Sequence, residues 1–227
     1  MPDLPGKDAA AFDAAHARSY AEGPPRQVPG LAGLHRMTSL LLAERVRTNG
    51  RVLVLGAGGG LELKALADDH ADWTFDGVDP SAEMLRAAEQ TVRPHAARVR
   101  LHHGYIDDAP EGPFDGATCL LTLHFVSRDR RLETLRQIYR RLTPGAPFTV
   151  AHISFPQTEP ERTMWIGRHV AFAGIAPANV ESAKQAIASK LAILSPEEDE
   201  ATLREAGFSG VSLFYAGLSF RGWVAYA

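Results

Sequence analysis

Three glycines, Gly56, Gly58 and Gly60, follow the apolar run Val52-Leu53-Val54-Leu55 and stand just ahead of a helix-forming stretch. A buried strand running into glycines before a helix lets backbone approach a ligand closely at the carboxyl end of a sheet. The spacing is G-x-G-x-G. A dinucleotide-binding turn calls for a third glycine where this chain has Leu61. A tight connection with no ligand would use glycines in the same way. A second residue weighs against that reading: Asp79, which ends a strand about twenty residues further on, where α/β nucleotide-binding folds place an acid to accept from ribose hydroxyls. Asp79 could also cap the helix behind Pro80. Glycine turn and acid together point to an adenosyl ligand.

Two histidines stand at strand ends where a proton could be taken from an acceptor. His124 follows the fourth predicted strand and His152 nears the end of the fifth. For both, a packed core histidine is the alternative. His102 and His103 are adjacent on a strand, point to opposite faces and suit no shared metal, so no metal site is expected. Arg128, Arg130, Arg131, Arg136, Arg140 and Arg141 gather on one helix, as a solvated face or as a phosphate-contacting surface. Cys119, mid-strand, reads as a small buried apolar residue.

These residues need a scaffold, and the chain's rhythm supplies one. Strands are expected at 51–56, 73–79, 97–104, 114–123 and 147–154, alternating with helices at 61–70, 81–92 and 130–142. That alternation predicts parallel βαβ units in a doubly wound α/β sheet. Residues 8–21 and 31–48 read as helices of an N-terminal helical arm (1–49), separated by a proline-rich break at 23–30. Residues 50–227 form the main domain. Within it, 155–194 is a helical insert whose Met164, Trp165, Ile166, Val170 and Phe172 suit a substrate lid or an interface. Ser195-Pro196-Glu197-Glu198 is a capping box with proline at the first helical position. Residues 211–227 read as an antiparallel hairpin around Gly217.

Composition sets outer limits. The 227 residues carry a formal charge of −3, 45% hydrophobic and 22% charged residues, enough for a self-sufficient core and poorly suited to coating nucleic acid. One cysteine excludes a disulfide framework and a cysteine-based zinc cluster. No apolar run reaches the roughly 20 residues that span a bilayer, and the first residues lack a signal-peptide pattern, so a cytoplasmic protein is expected.

LGAGGG (55–60), GVDPSAEML (77–85), FDGATCLLTLHFV (114–126), IYRRLTPGAPFTV (138–150) and the closing hairpin together resemble the class I S-adenosylmethionine-dependent methyltransferases. The resemblance implies a seven-stranded, mostly parallel sheet ending in that hairpin, with S-adenosylmethionine as cofactor. It places the methionine and ribose portion at Gly56, Ala57 and Gly58 and the ribose on Asp79. Pro80 and Met84 would flank the adenine, Gly104, Tyr105 and Ile106 would line its edge, and Leu121 with His124 would lie near the sulfonium. Two departures stand out: many members have an acid where this chain has Val54, and Asp where it has Tyr105.

RQVPGL (26–31), LLTLHFV (120–126), ATLREAGF (201–208) and FYAGLSFRGWVAYA (214–227) look like relatives that modify the tRNA wobble uridine using carboxy-S-adenosylmethionine. The arginine that grips the extra carboxylate in those relatives falls at Thr202, their cofactor-side tyrosine at Leu31 and an asparagine at Leu120. A buried carboxylate without its cation is costly, so the unmodified cofactor is expected. The leading expectation is methyl transfer to a small-molecule acceptor, with a tRNA acceptor second and a non-catalytic adenosyl-binding protein third. A nicotinamide-dependent oxidoreductase is disfavoured by Leu61 and the hairpin. The apolar insert and the resemblance suggest a homodimer.

Overall fold

Strands that are apolar throughout need cover on both faces, and helices supply it here from both sides. The computed structural model describes residues 23–227; the helix expected at 8–21 lies outside them. The strands are β1 (Arg51–Leu55), β2 (Thr74–Asp79), β3 (Val99–His103), β4 (Gly116–Leu120), β5 (Pro147–Ile153), β6 (Ser209–Gly217) and β7 (Phe220–Tyr226). They form one sheet in the order β3-β2-β1-β4-β5-β7-β6. β1 to β5 are parallel, and β7 enters antiparallel between β5 and β6. The strand order reverses between β1 and β4, which opens a crevice at their carboxyl ends. The expected doubly wound sheet with its terminal hairpin is what the chain forms.

The helices are α1 (Gly23–Gln27), α2 (Leu31–Ala43), α3 (Leu61–Asp69), α4 (Ala82–Thr91), α5 (Arg128–Arg140), α6 (Glu161–Phe172), α7 (Val180–Lys190) and α8 (Pro196–Glu205). Alternating residues of each strand point to opposite faces. Phe148 and Val150 pack with Leu135 and Ile138 of α5 and Leu203 of α8, while Ala151 and Ile153 pack with Leu31 and Leu34 of α2 and Ile166 of α6. No helix among the described residues is long and apolar enough to cross a membrane.

Three local expectations need correction. The proline-rich stretch at 23–30 begins with a helix, α1, because Pro24 and Pro25 occupy first-turn positions whose N–H groups have no intrahelical partner anyway. Helix α2 stops at Ala43, not near Thr48. Strand β4 stops at Leu120, not Leu123, because Leu121 adopts a left-handed φ of 58° that turns the chain out of the sheet. A short 3₁₀ turn, Leu123–Phe125, follows. The capping box of α8 forms as read: Ser195 Oγ accepts from Glu198 N and Ser195 N donates to Glu198 Oε2.

Candidate functional site

The turn after β1 is built by backbone that a side chain would obstruct. Gly56, Gly58 and Gly60 all have positive φ, and a Cβ on Gly56 would collide with the Thr122 hydroxyl at the end of β4. Gly56 N and Ala57 N both donate to Val78 O, at 2.8 and 3.0 Å, which pins the turn to β2.

Asp79, at the end of β2, is buried. Its Oδ2 accepts from Gly58 N at 2.9 Å and its Oδ1 from Ser81 N at 2.9 Å. Ser81, not Asp79, caps α4, through Met84 N to Ser81 Oγ at 3.2 Å. Burial pushes the Asp79 carboxyl upward, while the two backbone donors pull it down. Each of its oxygens keeps a lone pair for a hydroxyl. Gly104 N donates to Asp79 O at 3.1 Å, so the turn after β3 lies beside it.

A narrow cleft opens over the glycine turn, lined by Gly56, Ala57, Leu61, Glu62, Leu120 and Leu121 from the sheet side. Pro24, Leu31 and His35 of α1 and α2 close it from the arm. The chain thus brings Gly56, Ala57 and Leu121 together in one cleft and ties Gly58 to Asp79. Pro80 O accepts from His103 Nε2 at 3.0 Å. Tyr105 is exposed, whereas Met84 and Ile106 are buried in the core. Leu31 and Leu120, the positions where the carboxylated-cofactor relatives carry tyrosine and asparagine, both line the cleft. Thr202 is half-buried on α8 and its hydroxyl donates to Glu198 O at 2.7 Å.

Two cleft residues escape a reading of the sequence motifs. Glu62, at the second position of α3, is buried, and burial raises its carboxyl to about 7. The neighbouring Thr118 hydroxyl holds that shift back without completing a bond, since Glu62 Oε1 and Thr118 Oγ1 both lack hydrogen-bond partners. His35 is pushed down to about 4 by burial. Its signal was available in the helical spacing Leu31, Leu34, His35, Thr38, Leu42, which puts it beside the buried face of α2. Glu62 had no such signal, because an acid in the first turn of a helix is common on exposed surfaces.

The two histidines chosen from the sequence stand apart from the cleft lining. His124 is buried on the 3₁₀ turn, its Nδ1 accepting from Ile153 N at 3.4 Å. Burial, then the nearby His152, Arg131 and His169, hold it well below the usual histidine range, so it is a neutral imidazole. His152 points to the α5–α8 face, with Nε2 3.1 Å from Asp199 Oδ1 and its ring against Trp223. The arginines of α5 divide between core and surface. Arg131 is buried, with Nη1 3.1 Å from Asp199 Oδ1 and Nη2 bonded to Leu123 O and Ala192 O. Arg128, Arg130, Arg136 and Arg140 pair with Glu198, Asp107, Glu205 and Glu133.

In the insert, Ile166 and Val170 are buried and Trp165 packs against Phe155, with ring centroids 6.4 Å apart; Met164 and Phe172 are exposed. The expected single apolar side is therefore split, because Met164 and Phe172 fall outside the stripe that faces the sheet.

Residues 53–148 match the methyltransferase-domain family. A carboxy-S-adenosyl-L-methionine synthase from Campylobacter fetus is 22% identical over 95% of this chain and 93% of its own length. A putative methyltransferase from Bacillus subtilis is 30% identical over 47% of this chain and 59% of its own. Among solved structures, an S-adenosylmethionine-dependent methyltransferase from Aquifex aeolicus superposes with a TM-score of 0.65 at 16% identity, covering 95% of this chain and 98% of that one. A putative O-methyltransferase from Nostoc punctiforme gives 0.69 at 19% identity over 94% of this chain, which spans only 59% of that protein. These matches show both the resemblance read from the motifs and the class I methyltransferase fold.

Proposed function

From a class I methyltransferase fold with the methyltransferase-domain match at its centre, we propose that this chain is an S-adenosylmethionine-dependent methyltransferase acting on a small-molecule acceptor. The observation that carries the cofactor is the Asp79 carboxylate, held by Gly58 N and Ser81 N beside the glycine turn at the sheet's reversal point. The residues present fit an adenosyl cofactor. Gly56 and Ala57 offer close-approach backbone, Asp79 accepts from ribose hydroxyls, and Leu31, Leu120 and Leu121 give apolar walls.

When bound, the cofactor's sulfonium supplies a methyl group already activated for in-line displacement. The protein's task is then alignment and water exclusion. The α6 insert and the arm supply that cover, with Trp165, Ile166 and Phe155 as an apolar surround. His35, kept neutral by burial, offers an imidazole nitrogen as hydrogen-bond acceptor above about pH 4.

A small acceptor is supported by that apolar surround and by the pairing of the exposed α5 arginines with acids, which leaves RNA phosphates competing with existing ion pairs. A second reading, synthesis of the carboxylated cofactor, is favoured by relatives that match over nearly the whole chain. Against it, the described residues lining the cleft include an acid, Glu62, and neither arginine nor lysine. Titration calorimetry with S-adenosylmethionine, carboxy-S-adenosylmethionine and NAD separates these readings. Binding of S-adenosylmethionine and its demethylated product alone supports methyl transfer. Tighter binding of the carboxylated form moves the second reading to first place, and preference for NAD sinks both.

A further inference from the structure

Glu62 lines the cleft from the first turn of α3 and is a buried carboxyl with an unpartnered oxygen. It meets Thr118 on β4, and Thr118 is the register partner of Val54 on β1. Val54 is where many members of the resembling family carry an acid. Paired residues of parallel strands project from the same face, so a carboxyl resting on Thr118 from α3 reaches the surface that an acid at Val54 would occupy from β1. The amino end of α3 favours its ionised form, and a cationic ligand would complete that preference.

We propose that Glu62 binds the α-ammonium of the cofactor's methionine portion, replacing from α3 the acid absent at Val54; this rests on the adenosyl-cofactor reading above. Other groups around Glu62 do not compete for the role. His35, across the cleft on α2, is neutral above about pH 4, and burial raises the Cys119 thiol on β4, which keeps it protonated. Without ligand, Glu62 is partly protonated near pH 7. Pairing with an ammonium favours its carboxylate, so binding expels a proton from the site.

Calorimetry with S-adenosylhomocysteine and with 5′-methylthioadenosine, which lacks the amino-acid portion, tests this on wild type and Glu62→Gln. Measurements in two buffers of different ionisation enthalpy count the proton. Wild type should release a fraction of a proton with S-adenosylhomocysteine near pH 7, more near pH 6 and less near pH 8. Glu62→Gln should abolish the release and weaken S-adenosylhomocysteine about 10- to 100-fold, as for a lost hydrogen bond to a charged group. Its affinity for 5′-methylthioadenosine should stay within about twofold of wild type. Equal weakening of both ligands, or proton release that survives the substitution, overturns the proposal. If 5′-methylthioadenosine and S-adenosylhomocysteine both fail to bind wild type, the adenosyl reading falls and takes this one with it. A thermal melt of Glu62→Gln no lower than wild type confirms that the variant is folded.

Discussion

Two of the buried carboxylates, Glu62 and Asp199, lie against opposite faces of the sheet and have opposite surroundings. Asp199, beneath α5 and α8, lies 3.1 Å from both Arg131 Nη1 and His152 Nε2. Burial pushes its carboxyl upward, but His152 and the Arg131 guanidinium outweigh burial and hold it below the usual carboxylate range. Glu62, beside the cleft, has no cation, and burial alone dominates. A buried charge compensated by its own chain is part of the framework, because Arg131 also ties the 3₁₀ turn to the segment leaving the insert. A buried acid left uncompensated at a cleft waits for a partner from outside.

The largest expected effect breaks the compensated side. Asp199→Asn leaves the Arg131 guanidinium buried without a counter-charge and should lower stability by about 3 kcal/mol or more in urea unfolding, with cofactor affinity of the folded protein unchanged. In wild type the stabilisation from Asp199 is present above the unfolded carboxylate pKa and fades as pH falls through the depressed folded value.

Glu62→Gln should act in the opposite direction. From about pH 4.5 to 7 the folded chain keeps a proton that the unfolded chain has released, so wild-type stability falls as pH rises through that window and levels off above it. The substitution should remove that slope and raise stability at pH 8, by an amount on the order of 3 kcal/mol at most. A pH series of unfolding midpoints with identical slopes for both proteins would falsify the uncompensated reading.

Asp79→Asn tests the ligand side directly. It should weaken binding of S-adenosylhomocysteine by about 1–3 kcal/mol and also lower stability, because the amide oxygen accepts from only one of Gly58 N and Ser81 N and the amide NH2 faces the other donor. The smallest effect belongs to Arg136→Gln, which removes an exposed pair at 3.6 Å to Glu205 on the helix that carries Arg131. Stability should change by less than about 0.5 kcal/mol. A several-fold loss of tRNA binding in a gel-shift salt series with this variant would instead revive the RNA acceptor.

The sheet was legible because its signals are local and repeated: apolar runs such as Val52–Leu55 between helical periods, and a capping box at Ser195. Asp79 was legible because one spacing links it to the glycines. Arg131 was not, since six arginines on one stretch look alike until packing buries one against Asp199, a residue 68 positions away. His152 misleads for the same reason, because strand alternation gives two faces but not which of them carries the ligand.

The sequence by itself determined the alternation of strand and helix, the turn that needs positive φ and the acid that ends β2, since each follows from periodicity, steric freedom or fixed spacing. Only the tertiary structure decided that Glu62 is buried without a cation and Asp199 against the Arg131 guanidinium and the His152 ring. Burial and compensation are set by residues brought together from α2, α3, β4, β5, α5 and α8, and charges in a low-dielectric interior respond to those neighbours, not to their places along the chain.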